Sequence, residues 1–440
     1  MLSIARFGQA VRRDSASTEQ ASYNALDFAR FSPTLQKAFD MYPWAQRFLC
    51  LPFLFLAADL TEAQDAQEKY LINDGVKLND RFGSALNPFI DKNDVAGLVV
   101  VVADKEGIIA ERSLGLADVA GIKKMSKANI FWIASMSKPI TGACVLMMQD
   151  EKKLSLDDPI SKYIPAMKEL KLADGTPAVI TIRQLLNHTS GMAELKSGEA
   201  YTSLDLSEAA SRYSRVSVLF PPGSKWQYSQ TSINTAARIV EVVSGQTFDA
   251  FVEERICKPL EMKDTTFYLS EEQATRLAKS YSKSEDGTLK EVPIGLLAGK
   301  QPTDRDRMPA ANGGLFSTAQ DYSQFCRMLL NNGELAGKRI LSAEAVQTMR
   351  TINTGDLVTG FTPGNGWGVG CCVVREPQGV SEKLSPGSFG HGGAYGTQAW
   401  IDPVQNRIYI LMTQRANFPN SDASDLRRAF QEVASSIVRQ

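Results

Sequence analysis

The order of its secondary-structure signals constrains this chain most: strand-like runs come first and last, and a long helical stretch lies between them. Residues 95–104 read VAGLVVVVAD, a β-branched run closed by the turn Asp104-Lys-Glu-Gly107, and residues 108–114 resume as a second strand. That pairing predicts an antiparallel hairpin. Apolar residues near 3.6 spacing then predict helices over 139–150, 182–187, 206–213, 231–243 and 248–257, with Ser244-Gly245 and Lys258-Pro259 as stop signals. Past Gly313 come a helix over 319–330, strands over 366–374, 389–394, 398–402 and 407–413, and a closing helix running to Gln440. Strands from both ends of a chain share one sheet only if the middle is set aside. The expected fold class is therefore α+β, an antiparallel sheet domain flanked by helices (about 67–150 and 300–440) plus a helical lobe (about 151–299). A crevice between two such parts is a usual place for a ligand.

The first 66 residues do not follow this pattern. Residues 1–40 are polar and aperiodic and are expected to be a disordered extension. Met41 opens a stretch like a secretory signal: a basic flank at Arg47, an apolar run from Phe48 to Ala58, and small residues at Thr61 and Ala63. The run is too short to span a bilayer as a helix. A signal peptide over 41–66 implies a periplasmic or secreted protein. The competing reading is a buried N-terminal helix in a cytoplasmic one.

Composition removes several function classes. The 440 residues are 43% hydrophobic, enough for a sizeable core, and 48 basic residues against 49 acidic leave a net charge of −1 with no Lys/Arg block for a nucleic-acid groove. The two histidines, His188 and His391, and the six cysteines show no metal-ligand spacing, so no metal and no other cofactor is expected. The cysteines, scattered through apolar segments, read as small buried hydrophobes.

Chemistry concentrates in three places. S-x-x-K is weak by itself and occurs twice. Ser280-Tyr-Ser-Lys283 stands in a polar stretch with no apolar helix after it and is expected to be a solvated loop. Ser135-Met-Ser-Lys138 follows the strand-like segment Asn129 to Ala134 and leads into the apolar helix that starts near Pro139. Ser135 thus stands at a helix N-terminus, where backbone N–H groups favour an alkoxide and an oxyanion. Lys138 lies three residues on, within reach of the hydroxyl. An ammonium at its ordinary pKa of about 10.4 is no base, so this site needs burial or a cationic neighbour to lower it. The second place is Tyr228, in the turn-rich segment Pro221 to Gln230; beside a charged lysine its phenol pKa would fall, making it a second base. The third is Ser388-Phe-Gly-His-Gly-Gly-Ala-Tyr-Gly-Thr397, where paired glycines mark a close backbone approach and the N–H of Ala394 is placed to complete an oxyanion hole with that of Ser135.

These three elements, in this order, resemble the penicillin-recognising serine hydrolases: class C β-lactamases, D-alanyl-D-alanine carboxypeptidases and their esterase relatives, including carboxylesterases of the family VIII type. The similarity spans about residues 85 to 440. It takes in Leu185-Leu-Asn-His-Thr-Ser-Gly191 and Gly313-Gly-Leu-Phe-Ser-Thr318 as well. The resemblance implies that Ser135 is acylated, that Lys138 and Tyr228 relay its proton, that His188 is a structural loop residue, and that His391-Gly392-Gly393 stands where lactamases carry K-T-G. Substrate contacts would come from Gln230, His391, Gly392 and Gly393.

Two departures from the lactamase pattern bear on substrate. His391 replaces the lysine that engages a substrate carboxylate, and Gln230 replaces the asparagine of Y-x-N. Both weaken recognition of penicillins and peptide carboxylates, and neither harms ester cleavage. The expected function is therefore a carboxylesterase on small acyl esters, working through an acyl-enzyme. The competitors are a β-lactamase, a D-amino-acid peptidase, and a penicillin-binding sensor or scaffold that acylates without turnover. An α/β-hydrolase is refuted by motif order: the chain has no G-x-S-x-G and no histidine after His391.

Overall fold

The computed structural model describes residues 70–72 and 78–439, apart from 197–198, 361 and 420. The extension over 1–40 and the signal-like segment over 41–66 lie outside the described residues, as does Cys50. An antiparallel sheet of eight strands has the order Asn365–Trp367, Cys372–Val374, Phe389–Gly392, Gln398–Asp402, Arg407–Thr413, Gly97–Ala103, Ile108–Asp118 and Lys123–Lys124. The expected α+β architecture is present. Gly97–Ala103 pairs on one side with its hairpin partner Ile108–Asp118 and on the other with Arg407–Thr413, from Leu98 opposite Thr413 to Ala103 opposite Ile408. An early and a late strand of the described chain therefore pair side by side inside the sheet.

The continuous apolar run of the central strand follows from burial on both faces. Val99, Val101 and Ala103 enter one core, with Ile408, Ile410 and Met412 beside them, while Leu98, Val100 and Val102 enter the other with Tyr409 and Leu411. The second core is closed by Phe82 and Leu86 of the helix Leu78–Asp91 and by Leu426, Phe430 and Ala434 of the helix Asp425–Ser435. The first is covered by the helices Ser137–Asp150 and Ala319–Leu330, through residues such as Ile140, Cys144, Phe325 and Leu329. Each such side chain contributes about 1.5–3 kcal/mol when fully buried. Cys144, Cys257, Cys326, Cys371 and Cys372 are all buried free thiols.

Between the sheet segments lie short helices: Ile182–Leu186, Leu206–Tyr213, Gln230–Ser244 and Phe248–Val252, the last continuing as one π turn, Glu253–Cys257. Their starts are capped as the sequence dictates. The side chains of Thr181, Asp205 and Ser229 each accept from the backbone N–H three residues on. Gln230–Ser244 ends at Gly245 in the left-handed region.

Three expectations are corrected. Residues 366–374 form two strands joined by a tight turn, because Gly370 has φ 71° and a Cβ there would stand 2.7 Å from the carbonyl oxygen of Lys138. The segment at Ser280 is no solvated loop: Tyr281–Lys283 pairs with Leu289–Glu291 and Arg415–Ala416, Ser280 donates to Gln414 Oε1, and Lys283 pairs with Asp94 at 2.9 Å. Alternation over three residues was too short a signal to read. The closing helix stops at Ser435, and Ile437–Arg439 pairs as a strand with Tyr70–Ile72.

Candidate active site

Ser135 lies in a single 3₁₀ turn just before the helix Ser137–Asp150. Phe131–Trp132 pairs with Phe316–Ser317, the chain turns through Ala134 at φ 45°, and one 3₁₀ turn, Ala134–Met136, leads into Ser137–Asp150. A left-handed conformation costs a residue other than glycine about 1–3 kcal/mol, and it persists only where the surroundings over-determine it. Here they do: Trp132 Nε1 donates to Gly313 O at 2.6 Å, Ser137 Oγ donates to Ala134 O at 2.7 Å, and Tyr322 donates to Met136 O at 2.8 Å. In the stretch 131–140 every residue is buried but Ser135. The fold thus presents this one hydroxyl at the end of a rigid element.

Lys138 is fully buried, and its Nζ lies 2.9 Å from Ser135 Oγ and donates to Asn312 O at 2.6 Å. Burial holds its pKa well below the ordinary lysine value, against the opposing pull of the Glu194 and Asp422 carboxylates. The charged form of the amine beside Ser135 is therefore disfavoured. Its nitrogen also stands 4.6 Å from the centre of the Tyr228 ring.

Tyr228 is the residue before the cap of the Gln230–Ser244 helix, and its hydroxyl is hydrogen-bonded to the Ser135 side chain. Burial pushes its pKa well above the ordinary phenol value, which corrects the expectation of a lowered one. The argument from a neighbouring lysine charge fails because that lysine is itself desolvated. The charged forms of both groups are thus disfavoured: the protonated amine of Lys138 and the phenolate of Tyr228. His391 Nδ1 donates to Gly392 O at 2.6 Å, so the bare Nε2 of the neutral ring faces the Tyr228 hydroxyl at a long 3.4 Å. Burial, with Lys138 nearby, pushes His391 down to about 3.

The strand Phe389–Gly392 brings the third motif to the nucleophile. A Cβ on Gly393 would fall on Thr397 Oγ1 and stand 2.6 Å from Ile133 O, so only glycine lets this strand end lie against the residues that precede Ser135. Ala394 follows it and is exposed. Gly392 is covered by the Asp422 and Gln398 side chains. Gln230 is tied back, its Oε1 accepting from Asn312 Nδ2 at 2.9 Å. Of the sequence-derived substrate contacts, His391 is turned toward Tyr228, Gly392 and Gly393 are buried, and Gln230 is half-buried at the start of its helix.

Asn312 is the residue that sequence reading missed. Its backbone oxygen takes the Lys138 amine, its N–H donates to Asn234 Oδ1 at 3.1 Å, and its side-chain amide reaches Tyr201 and Gln230. The available signal was its place directly before Gly313-Gly314. Among the described residues no group of His, Cys, Asp and Glu side chains has a metal-binding arrangement, and no helix is long and apolar enough to cross a membrane.

The beta-lactamase family model matches residues 82–434. The chain belongs to the beta-lactamase family. As in that family, it is a serine hydrolase by fold. It is 30% identical over 370 residues to an uncharacterized protein, MT1414, of Mycobacterium tuberculosis, covering 78% of this chain and 91% of the relative. Esterase EstB of Burkholderia gladioli is 27% identical over 371 residues, covering 78% and 92%. A putative D-alanyl-D-alanine carboxypeptidase of Escherichia coli is 27% identical over 319 residues, covering 68% and 72%. The structure of EstCE1, described as a hydrolase with promiscuous acyltransferase activity, shares the beta-lactamase fold with a TM-score of 0.69 at 24% identity, covering 80% of this chain and 98% of that one.

Proposed function

We propose that this beta-lactamase family member is a serine carboxylesterase that cleaves small acyl esters through an acyl-Ser135 intermediate. The observation that carries the ester preference is His391, which is buried, neutral and turned to Tyr228 where a lactamase presents a charged lysine to a carboxylate. The similarity to EstB supports the same reading.

In acylation, Ser135 Oγ attacks the ester carbonyl carbon as its proton passes to Lys138 Nζ. The carbonyl oxygen, now an anion, is received by the N–H groups of Ser135 and Ala394. Collapse breaks the bond to the alkoxide, which leaves with the proton returned by Lys138 through the Tyr228 hydroxyl. Water repeats the steps on the acyl-enzyme, releasing the acid. Tyr228 suits this relay because its raised pKa keeps it a neutral phenol, which gives its proton to the leaving alkoxide as it receives one from Lys138.

The test is steady-state turnover on a p-nitrophenyl butyrate, a chromogenic cephalosporin and a D-alanyl-D-alanine peptide. We expect kcat/KM on the ester to exceed that on the other two by about 10²-fold or more, a difference of about 2.7 kcal/mol in transition-state binding. Faster lactam or peptide turnover would replace the esterase reading, and a single equivalent of product with no turnover would make the protein a sensor. The pH profile gives a second check. A ring held near 3 takes no proton between about pH 5 and 8, so His391→Gln should leave every inflection in that range in place. An inflection near pH 6.5 that vanishes in this variant would show a titrating imidazole and remove the basis of the ester preference.

A further inference from the structure

The chain has two histidines, and both stand against the same phenol. His391 meets the Tyr228 hydroxyl; His188 meets the backbone on either side of it. His188 is fully buried, with its ring centre 4.4 Å from that of Tyr228. Its backbone lies in the left-handed region at φ 62°, which is uncommon outside glycine though tolerated by asparagine, aspartate and histidine. In this conformation one residue offers two acceptors to one short segment. The His188 carbonyl accepts from Gln227 N–H at 2.9 Å, and His188 Nδ1 accepts from Ser229 N–H at 3.1 Å. Gln227 and Ser229 are the two neighbours of Tyr228.

Tyr228 needs such a clamp because it precedes the Gln230–Ser244 helix and takes no part in its ladder. We infer that His188 is a positioning residue for Tyr228, holding the phenol on Ser135 by accepting the flanking amides; the inference rests on the proton-relay role given to Tyr228 above. The clamp requires a neutral imidazole with a bare Nδ1. Burial, together with Lys138 and His391, holds the His188 pKa well below the ordinary value, so the proton sits on Nε2. Among the described residues Nε2 finds no acceptor, and the ring stands edge-on to Trp367 and Trp226 at 5.0 and 5.9 Å. A residue kept only for its volume would be cheaper as one without a buried, orphaned N–H.

His188→Ala and His188→Asn separate clamp from packing. Both remove the ring, but asparagine tolerates the left-handed region and places Oδ1 where Nδ1 was, keeping the bond to Ser229. Rates of Ser135 acylation by a p-nitrophenyl ester are read by single turnover, below the melting onset of each variant. The Ala variant should lose about 10²-fold in the saturating acylation rate with the half-saturating ester concentration nearly unchanged, and the Asn variant should recover most of that loss. Equal losses in the two would overturn the clamp and leave His188 a packing residue. If the Ala variant does not fold, His188→Gln replaces it, since its acceptor sits one bond too far; equal rates for Gln and Asn would likewise overturn the clamp. Tyr228→Phe, run alongside, tells the two failures apart: a wild-type acylation rate there would remove the relay role of Tyr228 itself.

Discussion

Ser135→Ala should abolish ester turnover, lowering kcat by about 10⁴-fold or more, because removing the nucleophile removes the covalent route and leaves only positioning and the oxyanion donors. The protein itself should be undisturbed. Ser135 is the one residue of 131–140 that is not buried, and its turn is fixed by Trp132, Ser137 and Tyr322 rather than by its own hydroxyl. The expected result is therefore an inactive variant that melts with the wild type and takes up no label from a fluorophosphonate that marks the wild type stoichiometrically. Ester turnover surviving at more than about a hundredth of the wild-type rate would mean that another group is acylated.

The second large effect separates activity from stability. Lys138→Met should be as inactive as Ser135→Ala, yet more stable at neutral pH. The unfolded chain holds lysine protonated up to about 10.5, whereas the buried amine in the folded protein has its pKa well below that. Between those two values the unfolded state binds more protons, so the wild type gains stability as pH rises, by about 1.4 kcal/mol per pH unit for one group. Below the folded pKa the penalty is present in full. Methionine has no such penalty, but it leaves the Asn312 carbonyl without its donor, a loss of about 1–3 kcal/mol. The variant should thus melt higher than the wild type near pH 7, with the gap closing or reversing toward pH 10. A gap that does not change with pH would mean that the amine stays charged in the folded protein, and Lys138 would then lose its place as the base.

Sequence reading reached the sheet because its strands are long or buried on both faces: the run at Val99–Val102 and the strand at Ile408–Met412 admit few alternatives. It failed on features fixed by remote partners. The turn at Gly370 and the strand Tyr281–Lys283 exist because of contacts with residues far along the chain, and local periodicity carries no trace of those. The site divides the same way. Ser135 and Lys138 share one helical turn and were legible from spacing, and the glycines around His391 announced a close approach. Tyr228 was placed correctly near them but given the wrong sign of pKa shift, since burial of the lysine is a property of the whole core. Asn312 acts through its backbone oxygen, which no side-chain pattern can reveal.

The pairing of an early strand with a late one inside the sheet has a consequence for timing. Gly97–Ala103 has its second partner only when Arg407–Thr413 has been made, and the residues around Ser135 are held by groups as late as Gly393 and Thr397. Pairings across such long separations form late, after local helices. A nascent chain therefore carries Ser135 outside its folded surroundings until the strands Phe389–Gly392 and Arg407–Thr413 have been made.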